Sequence, residues 1–119
     1  MQLFKHNEPF KLENGGVLPQ IIIAYHTYGN LNSDKSNVIW ICHALTANSD
    51  AEAWWPGVIG ENGFADPSKY FVVCANIIGS CYGSTGPLTV DPLTGKPYFS
   101  SFPMVTIRDM VNAHILLRK

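Results

Sequence analysis

No stretch of this sequence holds the roughly 18 or more consecutive apolar residues of a membrane-spanning helix. The first residues, MQLFKHNEPF, lack the apolar centre of a signal peptide, so the reading expects a cytoplasmic protein with no membrane partner. Cysteine is scarce: Cys42, Cys74 and Cys81 are odd in number and form no C-x-x-C, which argues against a disulfide framework and a zinc site. His6, His26, His43 and His114 do not cluster at metal-ligand spacing, and no metal is expected. Charge is low, at 14% of residues and a net of −1. The eight basic residues are scattered, so the footprint of a nucleic-acid-binding protein is missing. What the sequence does have is apolar content, 46% over 119 residues, enough for the core of one globular domain or a portion of one.

That apolar content falls in an α/β order. Phe4 to Leu12 and Leu18 to Tyr28 read as two extended segments joined at Glu13-Asn14-Gly15-Gly16, because Asn-Gly between extended runs tolerates the positive φ of a hairpin turn. Val38-Ile39-Trp40-Ile41-Cys42 is too short for a typical helix and reads as a strand buried on both faces. Asn48 to Asp66, with Trp54 and Trp55, has no clean period and reads as a loop with one helical turn. Tyr70 to Asn76 is a second buried strand. Ile77 to Pro103 is a long loop rich in Gly, Ser, Thr and Pro. Thr106 then caps a helix with Asp109 at the capping-box position, and Ile107, Met110, Val111, His114 and Leu117 share one face. Nothing in the sequence stops this helix before Lys119, so the expectation is an incomplete domain with a further strand to follow.

Ligands in open parallel sheets bind beyond the carboxyl ends of the strands, which singles out the loop after Cys42. An acyl-transfer site needs preorganised N–H donors for its oxyanion, and in hydrolase-type sheets one donor comes from this kind of loop. Leu45 occupies that place, and its apolar side chain leaves only its backbone N–H for the task. His43 is open to two readings, a general base or a residue that ties the loop to its own backbone. Cys42 and Cys74 read as small core residues. Gly79-Ser80-Cys81-Tyr82-Gly83 has the spacing of a nucleophile elbow, but it runs into Ser84-Thr85-Gly86-Pro87, where an elbow must run into a helix. It reads as a loop.

The segments HALTANSD, WWPGVIGENGFADPSKYFVVCANIIGSCYGSTGP and SFPMVTIRDMVNAHILL, in that order, resemble the amino-terminal part of homoserine O-acetyltransferases. The resemblance implies an α/β-hydrolase fold, with residues 1–119 as the amino-terminal portion of a single domain that lacks its nucleophile strand and lid. It implies acetyl transfer from acetyl-CoA, as co-substrate, to the hydroxyl of L-homoserine by a ping-pong route through an acyl-serine, in methionine biosynthesis. No bound cofactor is implied, and the complete enzyme would be a homodimer. By the resemblance Leu45 gives an oxyanion-hole N–H, while Thr46, Ala47 and Asn48 line the adjoining pocket. The family's Ser, Asp and His are absent from this chain, so the fragment is expected to be inactive alone and to need the remainder of its polypeptide, or a partner, at an exposed sheet edge.

Serine O-acetyltransferase, homoserine O-succinyltransferase and esterase activities are alternatives on the same fold, and a truncated, non-catalytic interaction module is an alternative of another class. The coding sequence past codon 119 separates the classes. A G-x-S-x-G leading into a helix, with a later Asp and His, is expected for the enzyme, and a stop codon for the module.

Overall fold

Proline cuts the amino-terminal extended segments short. In the computed structural model, which describes residues 1–119, β1 spans Gln2–His6, β2 Phe10–Lys11, β3 Val17–Leu18 and β4 Ile21–Tyr28. The Asn14-Gly15 turn does close a hairpin, with Phe10 opposite Leu18 and Lys11 opposite Val17, and Gly15 adopts φ +88°. Each arm, however, is two residues long, and the two together form a sheet separate from the main one. This corrects the expected ribbon of two long strands. Pro9 and Pro19 each remove a ladder N–H and restrict the residue before them, so the chain turns where alternation alone predicts continuation.

The main sheet has the order β1-β4-β6-β5, with β5 at Val38–Ile41 and β6 at Phe71–Ala75. β6 runs antiparallel to β4 and parallel to β5. Val72, Val73, Cys74 and Ala75 are all buried, as expected of a strand with neighbours on both sides. β5 stands at the edge instead. Val38 is 43% exposed and Cys42, just past the strand, is exposed, so the strand expected to be buried on both faces and the expected core Cys42 lie at the open sheet edge that was also expected of this portion of the domain. An apolar run reports which side chains favour burial; whether a strand is flanked is decided by distant residues.

The chain divides into two compact units. Residues 1–2 and 25–75 form one of them. Its core gathers Ile41, Ala51, Ile59, Ala65, Val72 and Cys74, with Tyr28, Ile39, Trp54 and Val58 packed against them. The loop between β5 and β6 contains one short helix, α1 at Ala51–Trp54, and Trp54 stacks on Trp55 at 5.4 Å. Gly29 has φ +76°, and a Cβ there would lie 2.2 Å from the Tyr70 carbonyl oxygen, so the bend out of β4 requires glycine.

Residues 3–24 and 76–119 form the other unit. Its buried side chains include Phe10, Leu18, Ile21, Ile23, Ile78, Tyr98 and Ala113. The glycine-rich stretch after β6 is tied to the first half of β4. Thr85 N–H donates to the Ile22 carbonyl at 2.8 Å, Ile22 N–H to Thr85 Oγ1 at 2.7 Å, and Ala24 N–H to Ser84 Oγ at 3.0 Å. These bonds satisfy strand groups that would otherwise be stranded without partners.

Helix α2, Ile107–Arg118, begins with the predicted capping box. Thr106 Oγ1 accepts from Asp109 N–H at 3.2 Å and Asp109 Oδ2 accepts from Thr106 N–H at 2.9 Å. Asp109 also accepts from Glu13 N–H at 2.9 Å, and the Glu13 carboxylate pairs with Arg108. These bonds fasten the first turn of the helix to Glu13. Asp109 and Ala113 are buried while Ile107 is 79% and Val111 51% exposed, so within residues 1–119 the covered stripe is centred on Asp109 and Ala113 and the apolar face stays largely open.

Burial raises the Asp109 pKa, but the N–H groups of Thr106 and Glu13, the Thr106 hydroxyl and the Arg108 charge outweigh it and hold the carboxyl below its usual range. A depressed folded pKa means that this stabilisation is complete above the unfolded value, roughly 4, and is lost as pH falls through the folded one. Asp109→Asn is expected to cost about 1–3 kcal/mol near neutral pH. In urea unfolding followed by circular dichroism, the gap between wild type and variant should close on acidification; a gap independent of pH would contradict the assignment.

Candidate functional site

The loop leaving β5 is held by polar contacts more than by packing. Ala44 to Ala47 form a turn closed by Ala47 N–H donating to the Ala44 carbonyl at 3.0 Å, and no residue in it takes a positive φ. Leu45 lies at the first central position with its side chain 89% exposed, and its N–H donates to no group of the chain. Thr46 is exposed and Ala47 half-buried. His43 directs Nδ1 to the Ala44 carbonyl at 2.9 Å, while its Nε2 is buried with no hydrogen-bond partner.

The rest of the loop is anchored firmly. Asn48 Oδ1 accepts from Asp50 N–H at 2.8 Å, and the Asn48 carbonyl accepts from Trp54 Nε1–H at 2.8 Å. The Asn48 side chain is thus engaged in shaping the loop. Cys74 lies beneath it, with Sγ 4.0 Å from the Asn48 carbonyl, and burial pushes its thiol up to about 12. Cys74 is the core residue that its sequence context predicts.

Two contacts escaped the sequence reading. His26 Nδ1 lies 2.9 Å from Ser49 Oγ, and the Tyr28 hydroxyl donates to Asp50 Oδ1 at 3.2 Å. His26 and Tyr28 are alternate residues of β4, so they share a face and stack at 6.5 Å. A serine and a histidine in contact resemble a nucleophile and its base, but Ser49 is 1% exposed and cannot reach a substrate. The pair fastens the loop to the strand. No signal in the sequence could have joined positions 26 and 49.

In the other unit, Cys81 is exposed in a run of bends, and no helix follows Gly83 before the short 3₁₀ turn Phe99–Ser101. The elbow-like motif is a loop, as its flanking residues predict. What this chain offers to acyl-transfer chemistry is a loop at the end of a parallel strand in which the Leu45 N–H, like that of Thr46, is unengaged.

No protein-family model matches the chain. It is 55% identical over 116 residues to a homoserine O-acetyltransferase of Chlorobaculum tepidum, which covers 98% of this chain and 33% of that protein. The resemblance to homoserine O-acetyltransferases holds. The chain spans about a third of the length of the curated relatives it matches. Among solved structures, homoserine O-acetyltransferase from Bacillus anthracis superposes with a TM-score of 0.86 at 32% identity, covering 98% of this chain and 35% of that one. Esterase E22 gives 0.84 at 31% identity, with 98% and 36% covered. The fold is an amino-terminal part of the α/β-hydrolase fold, as expected. No helix is long and apolar enough to cross a membrane.

The loop anchor at Tyr28 is open to measurement. Burial is the largest cause raising its phenol to about 12; a backbone hydrogen bond from Glu52 works against this, and the Asp50 carboxylate adds to the rise. The folded value lies above the unfolded one, so the associated stabilisation is complete below about pH 10 and is lost as pH rises toward 12. In a ¹³C NMR titration Tyr28 should stay protonated where exposed tyrosines ionise. Asp50→Asn should lower its pKa and still leave it raised, because burial remains.

Proposed function

We propose that these residues are the portion of an acyltransferase that carries one arm of its oxyanion hole, in an enzyme moving the acetyl group of acetyl-CoA to the hydroxyl of L-homoserine. The observation that carries this reading is the 55% identity to a homoserine O-acetyltransferase across 98% of the chain. The local geometry supports it, since the Leu45 N–H is uncommitted in a loop whose flanks are tied down. The reaction proceeds through an acyl-serine. The serine, with its histidine base and aspartate, belongs to the rest of the polypeptide, and residues 1–119 alone form no acyl-enzyme. As the oxyanion develops, the Leu45 N–H donates to it and lowers the barrier to both formation and breakdown of the tetrahedral intermediate. Thr46, Ala47 and Asn48 shape the pocket wall next to it. The complete enzyme is a cytoplasmic homodimer serving methionine biosynthesis.

An esterase is the second reading, favoured by the likeness to esterase E22. Both use the same oxyanion geometry and differ in whether a hydroxylated amino acid or water accepts the acyl group. The whole polypeptide bearing these residues is expected to release CoA from acetyl-CoA in a homoserine-dependent manner. Release that ignores homoserine, together with rapid cleavage of acetyl esters, would favour the esterase, and response to serine or use of succinyl-CoA would redefine the substrates. Leu45→Pro should abolish acyl transfer by removing the N–H, a loss of at least about 10²-fold, whereas Leu45→Met should retain most of it. Full activity in the proline variant would remove Leu45 from the site.

A further inference from the structure

The Ala44–Leu45 peptide is held from its carbonyl end. We infer that His43 is a positioning residue whose ring fixes the direction in which the Leu45 N–H points; this rests on the oxyanion role proposed for that N–H. A peptide unit is planar and trans, so the Ala44 C=O and the Leu45 N–H lie in one plane and point opposite ways. Whatever fixes the carbonyl fixes the N–H. The carbonyl accepts from Ala47 N–H at 3.0 Å and lies 2.9 Å from His43 Nδ1. A carbonyl oxygen can only accept, so Nδ1 carries the hydrogen. Nε2 is buried without a partner, so among the chain's hydrogen bonds the ring is held through Nδ1 alone.

The ring matters here because packing does not do the holding. Ala44, Leu45 and Thr46 are all exposed, so burial does not fix this segment. The turn bond from Ala47 is a weak restraint by itself, since a third to a half of such turns lack it, roughly speaking. Turning the Ala44–Leu45 plane over would break both bonds to the carbonyl, and with the ring in place the N–H is preorganised before any substrate arrives. A donor already aimed at the developing charge needs no reorganisation during the reaction.

The test uses the side chain's geometry. An asparagine amide can stand where Nδ1–H stands, while leucine keeps bulk and offers no donor. In the whole polypeptide, His43→Leu is expected to lower kcat for acetyl transfer by about 10²-fold with little change in KM, and His43→Asn to recover most of that loss. Equal losses in both variants, or a change confined to KM, would overturn the inference. Imidazole ¹⁵N spectra of the unsubstituted protein give a readout that needs neither turnover nor a folded variant. The Nδ1–H tautomer at His43 supports the lock, and the Nε2–H tautomer overturns it. If the unsubstituted enzyme shows no acyl transfer, the proposed function fails, and the tautomer still decides whether His43 holds the loop.

Discussion

Cys74 is paired on both sides, with His26 of β4 and Ile41 of β5, and this double register places every group of the candidate loop. Because Ile41 ends β5 at that level, the chain leaves the sheet where β4 presents His26, and the returning loop delivers Ser49 to it. Two residues further along β4, Tyr28 receives Asp50. A slip of one residue in β4 would point His26 and Tyr28 to the opposite face and leave Ser49 and Asp50 without them. The buried Ile21 and Ile23 of the same strand make such a slip costly, since it would exchange them with the half-buried Ile22.

The loop therefore combines two kinds of restraint. Its later part, from Asn48 onward, is fastened through Trp54, Asp50 and the His26–Ser49 pair to residues that are themselves buried or half-buried. Its earlier part, Ala44 to Thr46, is exposed and keeps its shape through hydrogen bonds to one carbonyl. An oxyanion donor needs both properties, a rigid base and a surface left open to a substrate.

Much of this was legible where cause and effect are close in sequence. The Asn14-Gly15 turn, the Thr106/Asp109 capping box and the non-helical run after Gly83 are set by neighbouring residues, and each forms as its residues predict. β6 could be read because its burial matches its composition. What could not be read depends on distant residues. β5 has the composition of a central strand, and within residues 1–119 it has a partner on one side alone. The bond from Glu13 N–H to Asp109 joins positions 96 residues apart, and no helical period encodes that. The His26–Ser49 contact likewise exists only once β4 and β6 are in register. For the site, sequence placed Leu45 in a loop at a strand end, and the structure supplies what the letters could not, the partners of its neighbours and the idle state of its N–H.

All three tryptophans, Trp40, Trp54 and Trp55, fall within residues 25–75. Trp54 is hydrogen-bonded to the candidate loop through its indole and stacked on its neighbour. The tryptophan emission of this protein is therefore a one-sided signal. It follows the order of the loop and the half of the chain that carries it, and is blind to the unit built around the capped helix, whose unfolding must be watched through the far-ultraviolet signal of its backbone.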